Sequence, residues 1–147
     1  MEKWTPKKIE ELFMLGVHEL GELADSINRR NGNIVTFVVN RHINYTNICV
    51  ARCPLCAFYR DARDDDAYCM SIENVVEKAG EAVKRGASEL HIVGALNPEL
   101  RVEYFERIFQ QITSRFPNVI IKALTAAELH FLSHVEGIRV EDVLSRL

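Results

Sequence analysis

Apolar residues recur at helical spacing from Ile9 to Ile27, where Ile9, Leu12, Phe13, Leu15, Leu20, Leu23 and Ile27 form a stripe behind Thr5 and Pro6. The spacing predicts one amphipathic helix, with Thr5 as cap and Pro6 in the first turn. The stretch 29–33, RRNGN, is a turn signal, and 34–47 is rich in β-branched and aromatic residues, which predicts a strand. A second helix is expected behind the cap Ser71 on Ile72, Val75, Val76, Ala79, Ala82 and Val83, with Gly86 ending it. Ser88 to Val93 then reads as a short buried strand. Val102, Phe105, Ile108, Phe109 and Ile112 make the next helical stripe, stopped at Phe116-Pro117. Asn118 to Leu124 is the third strand, and Thr125-Ala-Ala-Glu128 has the capping-box pattern that opens a helix over 126–135. Gly137 precedes a last stripe of Ile138, Val140, Val143, Leu144 and Leu147.

One helix followed by three strand-helix repeats implies parallel β/α units, so the class is α/β. Three parallel strands cannot close a barrel, which takes about 250 residues. The expectation is therefore an N-terminal helical extension over 1–33 and a partial β/α (TIM-like) barrel over 34–147, cut short at its C-terminus. A small open sandwich is the alternative.

Alternation along the first strand sets Phe37, Val39, Ile43 and Tyr45 on one face, interrupted by Arg41, and Thr36, Val38, Asn40, His42, Asn44 and Thr46 on the other. Helices cover the apolar face, which leaves the mostly polar one for a ligand or for water. Asn40, His42 and Asn44 are thus substrate-side candidates. Lys122, at the end of the third strand, is another, since it could meet a carboxylate. A lysine there also simply reaches water.

Composition narrows the class further. At 147 residues and 48% apolar the chain can build one core, and a net charge of −3 gives no basic footprint for nucleic acid. No apolar run is long enough for a bilayer, and the start MEKWTPKKIE lacks the apolar segment of a secretory signal. A cytoplasmic setting is expected, in which thiols stay reduced. Clustered cysteines then point to metal or catalysis before cross-links.

Three of the four cysteines fall in NICVARCPLCAFYR, 47–60: Cys49, Cys53 and Cys56. Structural zinc takes four ligands, usually as two pairs, and here the fourth is Cys69, beyond the charged run 60–66, which reads as a solvated loop. A zinc module using all four remains one reading, and cysteines without metal another. An iron-sulfur cube held by three thiolates, which leaves one iron open, fits the spacing and the position after the first strand.

The C-x3-C-x2-C spacing after a first β/α strand resembles the radical S-adenosylmethionine enzymes. NRHINYTNICVARCPLCAFYR, ELHIVGALNPEL and IKALTAAE resemble the branch that makes menaquinone by the futalosine route and deazaflavin, and HIVG and IKALTAAE are most similar to the aminodeoxyfutalosine synthases. The resemblance implies a 4Fe-4S cluster on Cys49, Cys53 and Cys56 that chelates S-adenosyl-L-methionine, and a small-molecule substrate, 3-[(1-carboxyvinyl)oxy]benzoate. It also implies a reducing electron donor such as flavodoxin or ferredoxin, without nucleic acid or membrane. Leu55 stands by the adenine, where many relatives are aromatic, and Tyr59 and Arg60 could edge the nucleoside. Gly94-Ala95 stands where the family has Gly-Gly against the methionine amino group, and Ala95 raises a question of turn geometry because Ala resists positive φ. Glu128 falls near the top of the third strand, where capping alone also explains it. Asn97 stands where relatives often carry His and is assigned no role. Cyclic dehypoxanthine futalosine synthases and the tyrosine-using deazaflavin synthase subunits share the cluster loop.

Overall fold

The computed structural model describes residues 4–147. The chain divides into two compact units, the first running to Phe37 and the second from Val38 to Leu147.

The first unit holds two helices, α1 (Pro6–Phe13) and α2 (Val17–Arg30), where the apolar stripe predicted one. Local hydrogen bonding explains the break. The Thr5 hydroxyl accepts from the Lys8 amide at 3.3 Å to start α1, and extended backbone at Gly16 restarts the helix while Glu19 folds back to accept from the Gly16 amide at 2.8 Å. A continuous stripe cannot report a break of three residues, because each helix keeps the same spacing. The 29–33 turn signal is realised at its far end, with φ 85° at Gly32 and 56° at Asn33.

The second unit is a three-stranded parallel sheet in the order β1 (Asn40–Ile43), β2 (Glu89–Ile92), β3 (Ile120–Ala123). Its helices are α3 (Ile72–Lys84), α4 (Val102–Arg115), α5 (Ala126–Glu136) and α6 (Val140–Arg146). The first strand is far shorter than the predicted 34–47. Asn40 pairs with Glu89, and before Ser88 the chain is turning out of α3, so the last contact ahead of Asn40 is the Val39 carbonyl, which accepts from the Ser88 and Glu89 amides at 2.8 and 3.3 Å. Phe37 is consequently 87% exposed, whereas Ile43 and Tyr45 from the same predicted face are buried.

Register explains the core. Ile43, Ile92 and Ala123 are aligned across the sheet, as are Arg41, Leu90 and Ile121. Ile43, Leu90 and Ile92 pack with Val75, Val76 and Ala79 of α3 and Val102, Phe105, Ile108 and Ile112 of α4. Each large side chain so buried contributes about 1.5–3 kcal/mol. The Ser71 hydroxyl caps α3 by accepting from the Asn74 amide at 3.2 Å. At the other ends, Gly86 and Gly137 take φ of 88° and 67° past α3 and α5, a conformation that favours glycine.

Candidate functional site at the strand C-termini

All three strands deliver their C-terminal ends to one edge of the sheet, as parallel pairing requires. The cysteine loop leaves β1 there. Backbone hydrogen bonds close its base: Arg60 donates to the Asn47 carbonyl at 2.8 Å and Cys49 donates to the Arg60 carbonyl at 3.1 Å. The Val50 amide reaches the Leu96 carbonyl at 3.1 Å, which ties the loop to the exit of β2. Inside the loop, the Cys56 amide donates to the Cys53 carbonyl at 2.9 Å, and Arg52 has φ 45°.

The charged run 60–66, expected as a solvated loop, frames this segment. Arg60 Nε lies 2.6 Å from Asp66 Oδ1, Arg60 Nη1 donates to the Ala57 and Tyr59 carbonyls, and Arg52 Nη2 lies 2.6 Å from Asp61 Oδ1. The Arg60 guanidinium holds the Asp66 carboxyl below its ordinary range. Asn47 closes the frame, with Nδ2 donating to the Asp66 carbonyl at 2.9 Å and Oδ1 accepting from the Tyr68 amide at 2.7 Å.

All four cysteines are free thiols; Cys53 and Cys56 are exposed and Cys49 partly so. Among the described residues, no three His, Cys, Asp or Glu side chains are gathered closely enough to hold a single metal ion. Cys69 lies outside that loop and is also exposed, with Thr46 as its antiparallel bridge partner, and partial desolvation pushes its thiol up. Three thiols on one hydrogen-bonded loop match the donor chemistry of a cluster with an open iron more closely than a four-ligand zinc site.

Next to the loop, Glu128 is buried at 5% exposure and receives three donors. Its Oε1 accepts from the Tyr45 hydroxyl at 2.7 Å and the Gly94 amide at 2.9 Å, and Oε2 accepts from the Thr125 amide at 2.6 Å. One carboxylate thereby joins the ends of β1 and β2 to the start of α5. Burial, followed by the Glu128 charge, pushes the Tyr45 phenol far above its ordinary range, so it stays a donor. The cavity beside Glu128 measures about 10 Å³, room for no more than a water.

Gly94 is required by close approach. A Cβ there would lie 2.8 Å from Cζ of Tyr45, while φ is negative at both Gly94 and Ala95. The question raised by Ala95 therefore has a geometric answer, since this turn needs no positive φ at that position. Leu124, which carries β3 into the α5 cap, does have φ 58°, a strained value for leucine.

Of the other sequence candidates, Leu55 is fully exposed and Tyr59 partly buried. Asn40, His42 and Lys122 are exposed and Asn44 is partly buried. Asn97, assigned nothing from sequence, is 3% exposed and donates from Nδ2 to Thr46 Oγ1 at 3.1 Å. Sequence reasoning also passed over Tyr45 as a site residue and never singled out His91. For Tyr45 the one available signal was its period-two spacing from Ile43, which marks burial and not a polar partner.

The family model of the Radical SAM superfamily matches residues 43–147. The chain belongs to that superfamily. Among curated relatives, the chain is 40% identical over 129 residues to aminodeoxyfutalosine synthase of Streptomyces coelicolor, covering 87% of this chain and 33% of the relative. It is 43% identical over 116 residues to 5-amino-6-(D-ribitylamino)uracil–L-tyrosine 4-hydroxyphenyl transferase of Methanopyrus kandleri, covering 79% and 31%. It is 31% identical over 149 aligned positions to cyclic dehypoxanthine futalosine synthase of Streptomyces coelicolor, covering 97% and 37%. This radical SAM chain thus spans about a third of the length of the curated relatives it matches. Membership of the superfamily implies a 4Fe-4S cluster and S-adenosylmethionine. Among the described residues, no helix is long and apolar enough to cross a membrane.

Proposed function

We propose that this chain forms the cluster-binding part of a radical SAM transferase in menaquinone biosynthesis, with a partial β/α barrel as its scaffold. Its reaction joins the 5'-deoxyadenosyl group to the enolpyruvyl double bond of 3-[(1-carboxyvinyl)oxy]benzoate, and rearrangement with loss of carbon dioxide gives aminodeoxyfutalosine. The observation that carries this reading is the loop of three free cysteines leaving β1 and hydrogen-bonded to the exit of β2.

Cys49, Cys53 and Cys56 would hold the 4Fe-4S cluster. When bound, the cluster supplies the electron that cleaves the sulfonium of S-adenosylmethionine, drawn from a flavodoxin or ferredoxin. The chain's own groups position and shield. The Gly94-Ala95 turn offers backbone acceptors to the methionine amino group, and Leu55 and Tyr59 flank the nucleoside. Asn40, His42, Asn44 and Lys122 face the substrate. Glu128 enters by holding the turn, since its oxygens already take three protein donors. A cytoplasmic location keeps the thiols reduced.

A second reading within the family is the tyrosine-using transfer reaction, favoured by the 43% identity to the Methanopyrus kandleri relative. The cyclic dehypoxanthine futalosine synthase reaction stands beside it. A zinc module on Cys49, Cys53, Cys56 and Cys69 is the reading of another class.

Anaerobic reconstitution with iron and sulfide, followed by metal analysis and electron paramagnetic resonance, separates these classes. About four irons per chain, a signal altered by S-adenosylmethionine, and loss of iron in Cys49→Ser, Cys53→Ser and Cys56→Ser but not in Cys69→Ser are expected. Zinc lost in Cys69→Ser would overturn the enzyme reading. Incubating the full-length form with each candidate substrate decides among the reactions, and failure to form aminodeoxyfutalosine would remove the first choice.

A further inference from the structure

Helices on both sides make the strands of a parallel sheet apolar on both faces in most α/β proteins. Here one face breaks that rule in an ordered way. His42, His91 and Lys122 are register partners across β1, β2 and β3, on the face opposite the buried Ile43, Leu90 and Ile92. The two imidazoles stack, with centroids 5.0 Å apart and planes 19° from parallel. At the strand spacing of about 4.8 Å the row is roughly 10 Å long.

None of the three side chains has a hydrogen bond or ion pair to another described residue. Glu89, two residues before His91 on the same face, forms no ion pair with Lys122. The row thus presents one ammonium without an ion-pair partner among the described residues and, on each of two stacked rings, a nitrogen that can donate. It lies one side-chain layer below Asn44, at the end of β1 from which the cysteine loop departs. A planar anion with two acceptor oxygens can take hydrogen bonds from the Lys122 ammonium and from one N–H of each ring.

We propose that His42, His91 and Lys122 together form a subsite for the carboxylate of an aromatic acid. The stacked imidazoles supply aligned donors and a flat apolar edge, and Lys122 supplies the charge. His91 becomes a specificity residue with no signal in the sequence, since only the register of β1 with β2 sets it against His42. Which acid occupies the subsite rests on the function proposed above; the existence of the subsite does not.

The test needs neither cluster nor cosubstrate. The full chain is titrated with benzoate, and in parallel with benzamide, while the carbon-bound imidazole protons of its five histidines are followed by nuclear magnetic resonance. His42→Asn and His91→Asn assign the two relevant signals. Saturable benzoate shifts at His42 and His91, with His18, His130 and His134 unmoved, are expected. Benzamide should bind at least tenfold more weakly. Lys122→Gln should weaken benzoate at least tenfold and Lys122→Arg should retain it, with the unchanged spectrum of the remaining protein reporting the fold. Absence of shifts, equal binding of benzamide, or Lys122→Gln indistinguishable from wild type would overturn the subsite. Iron loading and the response to S-adenosylmethionine are read separately, so failure of the subsite and failure of the enzyme reading are distinguishable.

Discussion

Gly94→Ala tests whether the turn after β2 is held by the approach of Tyr45. The added Cβ would lie 2.8 Å from Cζ and 2.9 Å from both Cε atoms of that ring, where carbon contacts prefer about 3.5–4.0 Å. Something must move by most of an ångström. The ring is poorly placed to yield, being 1% exposed, edge-on to Phe105 at 5.0 Å and hydrogen-bonded to Glu128 at 2.7 Å. Overpacking of this kind costs about 1–3 kcal/mol. Rotating the ring away instead breaks a hydrogen bond to a carboxylate, worth about 1.5–3 kcal/mol. The cheaper route sets the result, and lower chain entropy in the unfolded state returns about 0.4–1 kcal/mol. Together these give a net loss of about 1–2 kcal/mol. Urea denaturation of the single variant, of Tyr45→Leu and of the double variant measures it as a cycle. In the Tyr45→Leu background the ring is gone, so the Gly94→Ala penalty should vanish or reverse. A penalty within about 0.3 kcal/mol of the same value in both backgrounds would refute the contact as its cause.

Three further outcomes follow from the same contacts. Tyr45→Phe removes one of the three donors to Glu128 without changing ring shape and should cost about 1.5–3 kcal/mol in urea denaturation; an unchanged midpoint would mean that the hydrogen bond contributes nothing. Asp66→Asn weakens the Arg60 bracket and should speed hydrogen exchange at the Cys49 amide, which bonds to the Arg60 carbonyl, by a few-fold, because exposed ion pairs contribute about 0–1 kcal/mol; exchange at the Ile92 amide should not change. Acidification should destabilise the fold: Asp66, Glu106 and Asp142 sit below their ordinary range beside Arg60, Arg146 and Arg139. Their folded values are depressed, so the stability they add is present above the unfolded values near 4 and is lost as pH falls through the lower folded ones. Urea midpoints that rose between pH 5 and pH 2.5 would contradict that sign.

Much of the scaffold was legible because its causes are local. Ser71 caps α3, and Thr125 with Glu128 caps α5, through hydrogen bonds between residues three apart, so the pattern and its partner lie in one short stretch. The apolar stripes of α3 and α4 report burial because one helix face must meet the sheet. The spacing of Cys49, Cys53 and Cys56 likewise needs no fold to be seen.

The rest depended on register. Four residues of β1 form a ladder because β2 starts at Glu89, a boundary set by where α3 turns, and no pattern within 34–47 contains that information. Glu128 joins Tyr45 and Gly94, 83 and 34 residues away in sequence, so a residue legible as a helix cap became the knot of three strand ends only in the folded chain. His42, His91 and Lys122 form a row for the same reason. Helix caps and stripes are decided within a few residues, whereas alignment of parallel strands is decided by the lengths and packing of the helices that separate them.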